Sequence, residues 1–439
     1  MENLMERIVS LAKRRGFVYP GSEIYGGLAG TWDYGPLGVA LKNNLKDLWW
    51  KMFVTDREDM YGVDAAILMN SKVWEASGHT QTFTDPLVEC EKCKRRFRAD
   101  HVDGTACPEC KGTLGEARQF NMMFKTHVGA TEDESSVSYL RPETAGGIFV
   151  NFKNVVDSFH PKLPFGIAQI GKAFRNEISP RDFVFRSREF EQMEIEYFVR
   201  PEAWEEHFTA WHRLMKEWIE AIGLSEGSVH ELEVADGDRA HYSKRTIDFE
   251  FDFPFGRKEL YGLAYRTDFD LKSHTEGSSV ELSYFDEETK ERLTPHVIEP
   301  SFGVERTMLA VLASAYAEDE LGGEKRVFLR FKPRIAPVTA AVFPLLKNKP
   351  ELVAKARSVY ADLKEILPSV VFDDNGNIGK RYRRQDEIGT PFCITIDFDT
   401  LGEGGEDKKD TVTVRHRDSG EQERVALAEL PSYLKSRVL

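Results

Sequence analysis

Two neighbouring stretches between Phe174 and Glu194 carry charged side chains at alternating positions. A period of two puts alternate side chains on one face of a β-strand, which predicts Arg175 and Glu177 on one face of a first strand. On the returning strand the same spacing predicts one face carrying Arg186, Arg188, Phe190, Gln192 and Glu194. A single ring among arginines and carboxylates suits a stacked heterocycle beside a phosphate. The alternative is a surface hairpin, since antiparallel sheets often turn polar residues to solvent.

The segment around Gly303 predicts a strand end that turns into a helix. Apolar residues recur at helical spacing after it, at Met308, Leu309, Leu312 and Ala313. Arg306 then lies in the first helical turn, where a cation meets the positive end of the helix dipole. An anionic ligand would remove this conflict, because helix N-termini bind phosphate groups. An arginine in a surface salt bridge is the alternative interpretation.

Four of the five cysteines form two Cys-x-x-Cys pairs, Cys90 with Cys93 and Cys107 with Cys110. Each pair suits a knuckle that presents two thiolates to tetrahedral zinc. The intervening chain is polar and too short to build a core, so metal would supply the folding energy. We therefore predict a structural Zn²⁺ in a zinc ribbon over residues 88–113. Disulfides are the alternative, disfavoured in a reducing compartment. Cys393 lies in an apolar stretch and is predicted to be a buried small hydrophobe.

Apolar periodicity outlines the elements that must position these residues. A helix is predicted from Gly38 to Phe53, with apolar residues at Leu41, Leu45, Leu48 and Met52. A second helix is predicted from Pro201 to Leu224, with its aromatic residues in the core. Residues 317–326 are polar and contain glycine, which predicts a domain boundary. Strands and helices then alternate as in an α/β domain, through AAVFPLL, a helix over 350–367, SVVFDD, the basic helix GKRYRR and PFCITID.

Composition and charge narrow the class of protein. With 439 residues and 41% hydrophobic content, the chain is expected to form two or three domains. No apolar run approaches the ~20 residues that cross a bilayer, and the amphipathic start contains Glu2 and Glu6, unlike a transit peptide. We therefore expect a cytoplasmic protein with no membrane partner. A net charge of −14 opposes indiscriminate nucleic-acid binding, so such contacts need local basic patches.

The stretches around Arg175, Arg186 and Arg306 resemble motifs 2 and 3 of class II aminoacyl-tRNA synthetases. Longer stretches resemble the glycyl-tRNA synthetases of the homodimeric type, and these are GSEIYGGLAGTWDYGPLG (21–38), YLRPETAGGIFVNF (139–152), YRTDFDL (265–271) and VIEPSFGVER (297–306). The resemblance runs from about Val9 to the C-terminus. It departs at Gly146, where the family usually has the glutamine of RPETAQG.

This resemblance implies an α+β protein with a class II antiparallel-sheet catalytic domain over residues 1–325. The zinc ribbon would be an insertion in that domain, and an α/β anticodon-binding domain would span residues 327–439. The helix from Gly38 to Phe53 would be motif 1 at a homodimer interface, although burial within one subunit explains its spacing almost as well. The partner would be tRNA(Gly), gripped through Lys332, Arg334 and the GKRYRR arginines Arg381, Arg383 and Arg384.

The resemblance also implies ATP with Mg²⁺ and assigns roles in adenylate formation. Arg175 would hold the α-phosphate and the substrate carboxylate, and Arg186 would reach the outer phosphates. Adenine would lie between Phe190 and Arg306, with Glu177 at its amino group, so that Arg175, Glu177 and Arg306 are the predicted catalytic residues. The other predicted ATP-binding residues are Asn176, Phe185, Ser187, Arg188, Glu189, Glu259, Leu260, Gly303, Val304 and Glu305. Glu259 is also the magnesium candidate, and its alternative is an exposed strand carboxylate.

A pocket for glycine needs anionic partners for an ammonium group and walls too close for a methyl group. Glu143, Glu194, Glu299 and Ser301 are predicted to form it, because carboxylates both bind the cation and fill the volume of a Cβ. By resemblance the glycine set also includes Arg98, Phe190, Glu191, Gln192, Met193, Pro300, Phe302 and Gly303. No smaller amino acid exists to be rejected, and no segment remains for an editing domain.

Three other functions compete with glycine–tRNA ligation. A non-catalytic relative could bind tRNA or assist a polymerase, but it would lose the motif arginines, whereas Arg175, Glu177 and Arg306 are all present here. A zinc-ribbon nucleic-acid binder would use only about a tenth of this acidic chain. A class II synthetase for serine, threonine or proline is the closer competitor.

Overall fold

The computed structural model describes residues 4–438, and eleven α-helices lie in that range. They are α1 (Leu4–Arg15), α2 (Pro36–Trp50), α3 (Ser71–Ala76), α4 (His79–Thr82), α5 (Ala145–Phe159), α6 (Trp204–Ala221), α7 (Phe269–Ser278), α8 (Val304–Ala315), α9 (Pro350–Lys364), α10 (Ile378–Ile388) and α11 (Leu430–Val438). The helices predicted from apolar spacing correspond to α2, α6, α8, α9 and α10. A π-helical turn, Lys51–Thr55, extends α2.

The strands form one large sheet, one five-stranded sheet and several small ribbons. In chain order, the strands up to the last strand of the large sheet are β1 (Val18–Pro20), β2 (Trp32–Tyr34), β3 (Met60–Gly62), β4 (Leu68–Met69), β5 (Thr84–Glu89), β6 (Arg96–Arg98), β7 (Arg118–Asn121), β8 (Lys125–His127), β9 (Val137–Leu140), β10 (Phe165–Phe174), β11 (Glu189–Val199), β12 (Val229–Glu233), β13 (Arg245–Phe253), β14 (Gly256–Thr267), β15 (Tyr284–Phe285), β16 (Arg292–Leu293) and β17 (His296–Gly303). The later strands are β18 (Tyr316–Leu321), β19 (Glu324–Leu329), β20 (Ala340–Pro344), β21 (Val370–Phe372), β22 (Phe392–Ile396), β23 (Thr411–His416) and β24 (Gln422–Ala426).

The large sheet has the strand order β12-β13-β14-β17-β11-β10-β3. All neighbouring pairs are antiparallel except β10 with β3, which is parallel. One face packs on α2, α6 and α8, where Trp49, Phe53 and Phe302 form an aromatic cluster in the main core. On the other face α5 covers only one end, and polar side chains occupy the uncovered part. The predicted antiparallel-sheet core is confirmed.

One prediction of local structure needs correction. β10 ends at Phe174 and β11 begins at Glu189, so Arg175, Glu177, Arg186 and Arg188 lie in the connecting loop rather than on the strands. Phe190, Gln192 and Glu194 do alternate along β11 as predicted. The polar boundary segment 317–326 is a β-hairpin, with β18 paired to β19 across Gly322 and Gly323.

The C-terminal part is a mixed sheet of order β21-β20-β22-β23-β24 with its own hydrophobic core. β20 pairs in parallel with β21 and β22, because α9 and α10 make the crossovers. Cys393 is buried on β22, as predicted. Arg326 of the preceding hairpin is fully buried, and it donates to Asp319 and to the backbone oxygen of Arg417. The limit at residue 325 between two domains stays a prediction.

The helix α10 differs in part from the tRNA-contacting cluster of Arg381, Arg383 and Arg384 predicted for it. Arg381 is buried and donates to the backbone oxygens of Pro344, Asp374 and Gly376. Arg383 and Arg384 remain partly exposed and pair with Glu324 and Asp373 respectively. Arg381 therefore holds the loops around α10 together and is not presented to a partner. No helix within residues 4–438 has the length and apolar character of a bilayer span.

Candidate active site

Two pockets adjoin on the uncovered face of the large sheet. The arginine pocket, about 300 Å³, is lined by Arg98, Arg175, Arg186 and Arg306 together with Phe185 and Phe190. The glutamate pocket, about 290 Å³, is lined by Glu143, Glu194 and Glu299 together with Tyr242. Four residues line both pockets, namely Arg175, Gln192, Glu259 and Ser301. One cavity thus suits an anion and a flat ring, and its neighbour suits a small cation.

The arginine pocket is built from the loop between β10 and β11 and from the start of α8. Arg175 donates to the backbone oxygen of Pro142, and its guanidinium lies 5.2 Å from the centre of the Phe190 ring. Arg306 is the third residue of α8 and lies 4.5 Å from the centre of the Phe185 ring. It also pairs with Glu259 at 3.1 Å. The predicted first-turn position of Arg306 is confirmed.

The charges around Arg186 explain why this pocket favours an anion. Burial, and then repulsion from Arg98, Arg181 and Arg306, lower the pKa of the Arg186 guanidinium, against the attraction of Glu177. The Arg186–Glu177 pair is long, at 3.7 Å. Converging cations without enough counter-charge are stabilised by a polyanion such as a triphosphate.

The cysteine module contributes Arg98 to the arginine pocket. β6 carries Arg98, which pairs with Asp85 at 2.6 Å and with Asp100 at 2.7 Å. Its side chain lines the arginine pocket and not the glutamate pocket. Arg98 was predicted as a glycine-site residue from the resemblance, and its position is beside Arg186.

The four predicted zinc ligands are brought together. The Sγ atoms of Cys90, Cys93, Cys107 and Cys110 all lie within 4.8 Å of one another, with 3.5 Å between Cys90 and Cys110 and 3.8 Å between Cys93 and Cys107. Tetrahedral zinc with Zn–S bonds of about 2.3 Å needs sulfurs about 3.8 Å apart, so these residues fit the metal. All four thiols are free, which removes the disulfide alternative.

The remaining predicted nucleotide residues have different positions. Leu260, Gly303, Glu305 and Ser187 line the arginine pocket, and Val304 is buried in the main core. Arg188 clamps the loop by donating to the backbone oxygens of Ala29 and Glu177. Asn176 donates its backbone N–H to Met122, and Glu189 pairs with Lys172 outside both pockets.

Glu194 is the most completely hydrogen-bonded carboxylate of the glutamate pocket. It accepts from the backbone N–H and hydroxyl of Thr144, from Gln192 at 2.6 Å and from Ser301 at 2.9 Å. These donors fix its orientation at the centre of the sheet. Burial, and then the charge of Glu143, raise its pKa.

Glu143 and His79 form a pair at the edge of the glutamate pocket. Nε2 of His79 lies 3.3 Å from the Glu143 carboxylate, and Nδ1 of His79 contacts the Ser77 hydroxyl at 2.8 Å. Burial opposes ionisation of Glu143, but His79, Arg266 and Arg175 outweigh it and lower its pKa to about 2. Glu143 is therefore an anion at every physiological pH.

Arg266 holds the third carboxylate, Glu299. Its guanidinium makes two bonds of 2.8 Å with Asp270 and one of 2.8 Å with Glu299, and it lies 3.7 Å from the centre of the Tyr242 ring. Burial raises the pKa of Glu299 to about 8, with Glu194 and Glu143 adding to the rise and Arg266 opposing it. A bound ammonium group would favour the ionised form of Glu299.

Glu196 is a further carboxylate behind this pocket. The register that pairs Glu194 with Ser301 and Tyr197 with Ile298 places Glu196 opposite Glu299. Both of its carboxylate oxygens are buried without a hydrogen-bond partner among the described residues. Burial, and then the charge of Glu299, raise its pKa well above the usual range.

Four predicted glycine-site residues lie on the opposite face of the sheet from the pocket. Met193 and Phe302 are in the main core, and Pro300 shares their face by alternation. Glu191 accepts from Lys42 of α2, which also contacts Glu305 of α8 at 2.7 Å. This buried triad joins α2, β11 and α8, so Glu191 and Glu305 stabilise the frame of the site.

Glu259 lies between the two pockets but is not part of a carboxylate cluster. Within residues 4–438 the four cysteines are the group close enough to hold a metal, and Glu259 is paired with Arg306. The charges of Arg306, opposed by burial, lower the pKa of Glu259. An ionised carboxylate at this point fits a magnesium ion that is held mainly by substrate phosphates.

Several site residues were missed by reading the sequence. Arg266 and Asp270 lie in the recognised stretch YRTDFDL, but Glu299, the other carboxylate partner of Arg266, is far along the chain. Tyr242 lines the glutamate pocket from a loop, and His79 and Glu196 had no local signal. At Gly146 an added Cβ would lie 3.0 Å from the buried Trp74 ring, so the family's glutamine has no room there without a shift of that ring.

Comparison with known proteins agrees with this arrangement. Residues 124–315 match the tRNA synthetase class II core domain (G, H, P, S and T), and residues 339–437 match an anticodon binding domain. A glycine–tRNA ligase of Thermobifida fusca is 52% identical over 460 residues, which cover 99% of this chain and 98% of that protein. The chain belongs to the glycine–tRNA ligase family. The relatives from Lachnospira eligens and Bacillus anthracis, both glycine–tRNA ligases, are 51% identical over 469 and 464 residues, covering at least 99% of each chain.

Family membership confirms the fold class and the predicted activity. The chain is an ATP-dependent aminoacyl-tRNA synthetase that ligates glycine to tRNA. Its anticodon-binding domain and class II core belong to the same polypeptide. The competing functions of a non-catalytic relative and of a zinc-ribbon nucleic-acid binder are excluded.

Proposed function

We propose that the arginine pocket binds ATP, that the glutamate pocket binds glycine, and that glycyl adenylate forms where the two meet. The observation that supports this proposal most directly is that Arg175 lines both pockets. One guanidinium can then contact the glycine carboxylate and the α-phosphate together. Holding both reactants in line lowers the entropy cost of the attack, and the arginine charge stabilises the pentavalent phosphate.

In the arginine pocket, Arg186 and Arg98 bind the outer phosphates, since both line it and Arg186 has only a long contact with Glu177 as counter-charge. Adenine packs against Phe190, with Arg306 on its other face and Glu177 at its amino group. Glu259 holds magnesium together with the phosphate oxygens when the metal is bound. The metal supplies charge neutralisation during departure of pyrophosphate.

In the glutamate pocket, the ammonium group of glycine lies between Glu143 and Glu299. Glu194 is already saturated by its four donors and mainly fixes Ser301 and Thr144. Glu143 is ionised before glycine arrives, and Glu299 releases its proton when the ammonium binds. Two anionic contacts on one small cation give affinity without any side-chain contact.

We also propose a homodimer that acts in the cytoplasm on tRNA(Gly), with zinc at the four cysteines. Support for the dimer comes from Ile24, Tyr25 and Leu28, which are 90%, 86% and 60% exposed on one small loop. An exposed apolar group of this kind suits burial against a second copy. Replacement of Ile24 and Tyr25 by serine should halve the mass in light scattering, and an unchanged mass would exclude this loop as the interface.

Replacement of Arg175 by alanine tests the proposal. Glycine-dependent ATP–pyrophosphate exchange should be lost, because the shared contact to both substrates is gone. The melting temperature should change little, since the side chain makes one bond to a backbone oxygen. Arg213→Ala on the exposed face of α6 is the matched control. Normal exchange by a folded Arg175→Ala enzyme would refute the proposed role.

A further inference from the structure

Gly262 leaves a gap in an otherwise complete row of side chains across the large sheet. Strand registers align Asp248 with Gly262, Gly262 with Ser301, and Ser301 with Glu194. Neighbouring strands lie about 4.8 Å apart, so each position in such a row normally carries a side chain in contact with the next. Between Asp248 and Ser301 there is none, and all four residues line the glutamate pocket.

Neither backbone conformation nor protein packing requires glycine at this position. Gly262 lies inside β14 and is not among the residues with positive φ. A Cβ added at Gly262 would have no atom of the described residues within 4 Å, with its chain neighbours left aside. At Gly166 and Gly171 of β10, by contrast, an added Cβ would lie 2.4 and 2.3 Å from side-chain atoms.

Glycine inside a strand weakens the sheet, so its presence without a conformational or packing reason indicates close approach of something else. The open space above Gly262 is the glutamate pocket itself. Its neighbours on that strand face are Ala264, also a small lining residue, and Arg266. The strand therefore lowers one wall of the pocket to backbone level.

We propose that Gly262 is a substrate-binding residue, whose missing side chain gives the space in which the methylene group of the amino-acid substrate lies. The carboxylates of Glu143 and Glu299 then bind the ammonium from one side while the β14 backbone contacts the substrate carbon from the other. This inference rests on the proposed function, because it takes the glutamate pocket as the glycine site.

The test is Gly262→Ala, assayed by ATP–pyrophosphate exchange with glycine and ATP varied separately. Overpacking by one methyl group should raise the KM for glycine roughly five- to a hundred-fold. The KM for ATP should stay within about twofold, because Gly262 does not line the arginine pocket. Gly227→Ala is the control, since an added Cβ there also meets open space and Gly227 lies in neither pocket.

Three results would overturn the proposed role of Gly262. An unchanged KM for glycine in Gly262→Ala would overturn it, and so would equal rises in both KM values, which would assign the gap to the nucleotide. Failure of the variant to fold would also overturn it, because the added methyl group is argued to meet no protein atom. If the wild-type enzyme showed no glycine-dependent exchange, the proposed function itself would fall instead.

Discussion

Replacement of Glu143 by glutamine should weaken glycine binding far more than ATP binding. Glu143 is an ionised carboxylate that lines only the glutamate pocket, with a pKa lowered to about 2. A hydrogen bond to a charged group contributes about 1.5–3 kcal/mol, which corresponds to roughly a 10- to 150-fold rise in the KM for glycine. Glu143 itself stays ionised between pH 6.5 and pH 8.5, so the loss is expected at both values.

Glu196→Gln is the matched comparison. Glu196 is a buried carboxylate outside both pockets with a pKa raised above its usual range, and glutamine keeps its shape. Its KM for glycine should stay within about twofold of wild type. The assay is pyrophosphate exchange at saturating ATP, with melting temperatures for both variants. The reasoning would be refuted if Glu143→Gln bound glycine normally, or if Glu196→Gln weakened binding as strongly.

Three further predictions follow from other parts of the site. The KM for glycine should rise as pH falls below about 8, because the pKa of Glu299 is raised to about 8 and the protonated acid cannot pair with an ammonium. Glu299→Gln should remove that pH dependence. A KM for glycine that does not depend on pH in the wild-type enzyme would contradict the prediction. Cys93→Ser should lower the zinc content and raise the KM for ATP more than the KM for glycine, because Arg98 reaches the arginine pocket from the cysteine module. A metal-free variant with normal ATP kinetics would refute the link between the zinc site and ATP binding. Charge removal at Arg383 and Arg384 should leave pyrophosphate exchange intact. It should lower the slope of log binding constant for tRNA against log salt concentration by about one unit per lost phosphate contact. An unchanged slope would show that these residues are not part of the tRNA interface.

The sequence revealed those parts of the site whose signal is local. The period of two along β11 predicted that Phe190, Gln192 and Glu194 share a face, and the structure confirms it because strand geometry extends over these positions. Arg175 lies one residue past the end of β10, and its direction is set by the loop and by the Pro142 carbonyl. The spacing of residues in the sequence does not predict that contact.

Ion pairs between residues that are distant in the sequence could not be predicted, for the same reason. Arg266 and Glu299 are hydrogen-bonded across adjacent strands, and His79 reaches Glu143 from a separate short helix. Arg381 shows the converse error, since the basic residues beside it in the sequence predicted a contact with tRNA. Three backbone oxygens from surrounding loops enclose its guanidinium instead. Residue type and spacing gave the chemistry, and tertiary contacts decided which charges face the substrates.

The most direct test of the central claim is ATP–pyrophosphate exchange measured with each of the twenty amino acids. A glutamate pocket that binds the ammonium group of glycine predicts exchange with glycine, and membership of the glycine–tRNA ligase family predicts none above background with alanine, serine, threonine or proline. Exchange that depends on serine, threonine or proline and is absent with glycine would contradict the assignment of both pockets.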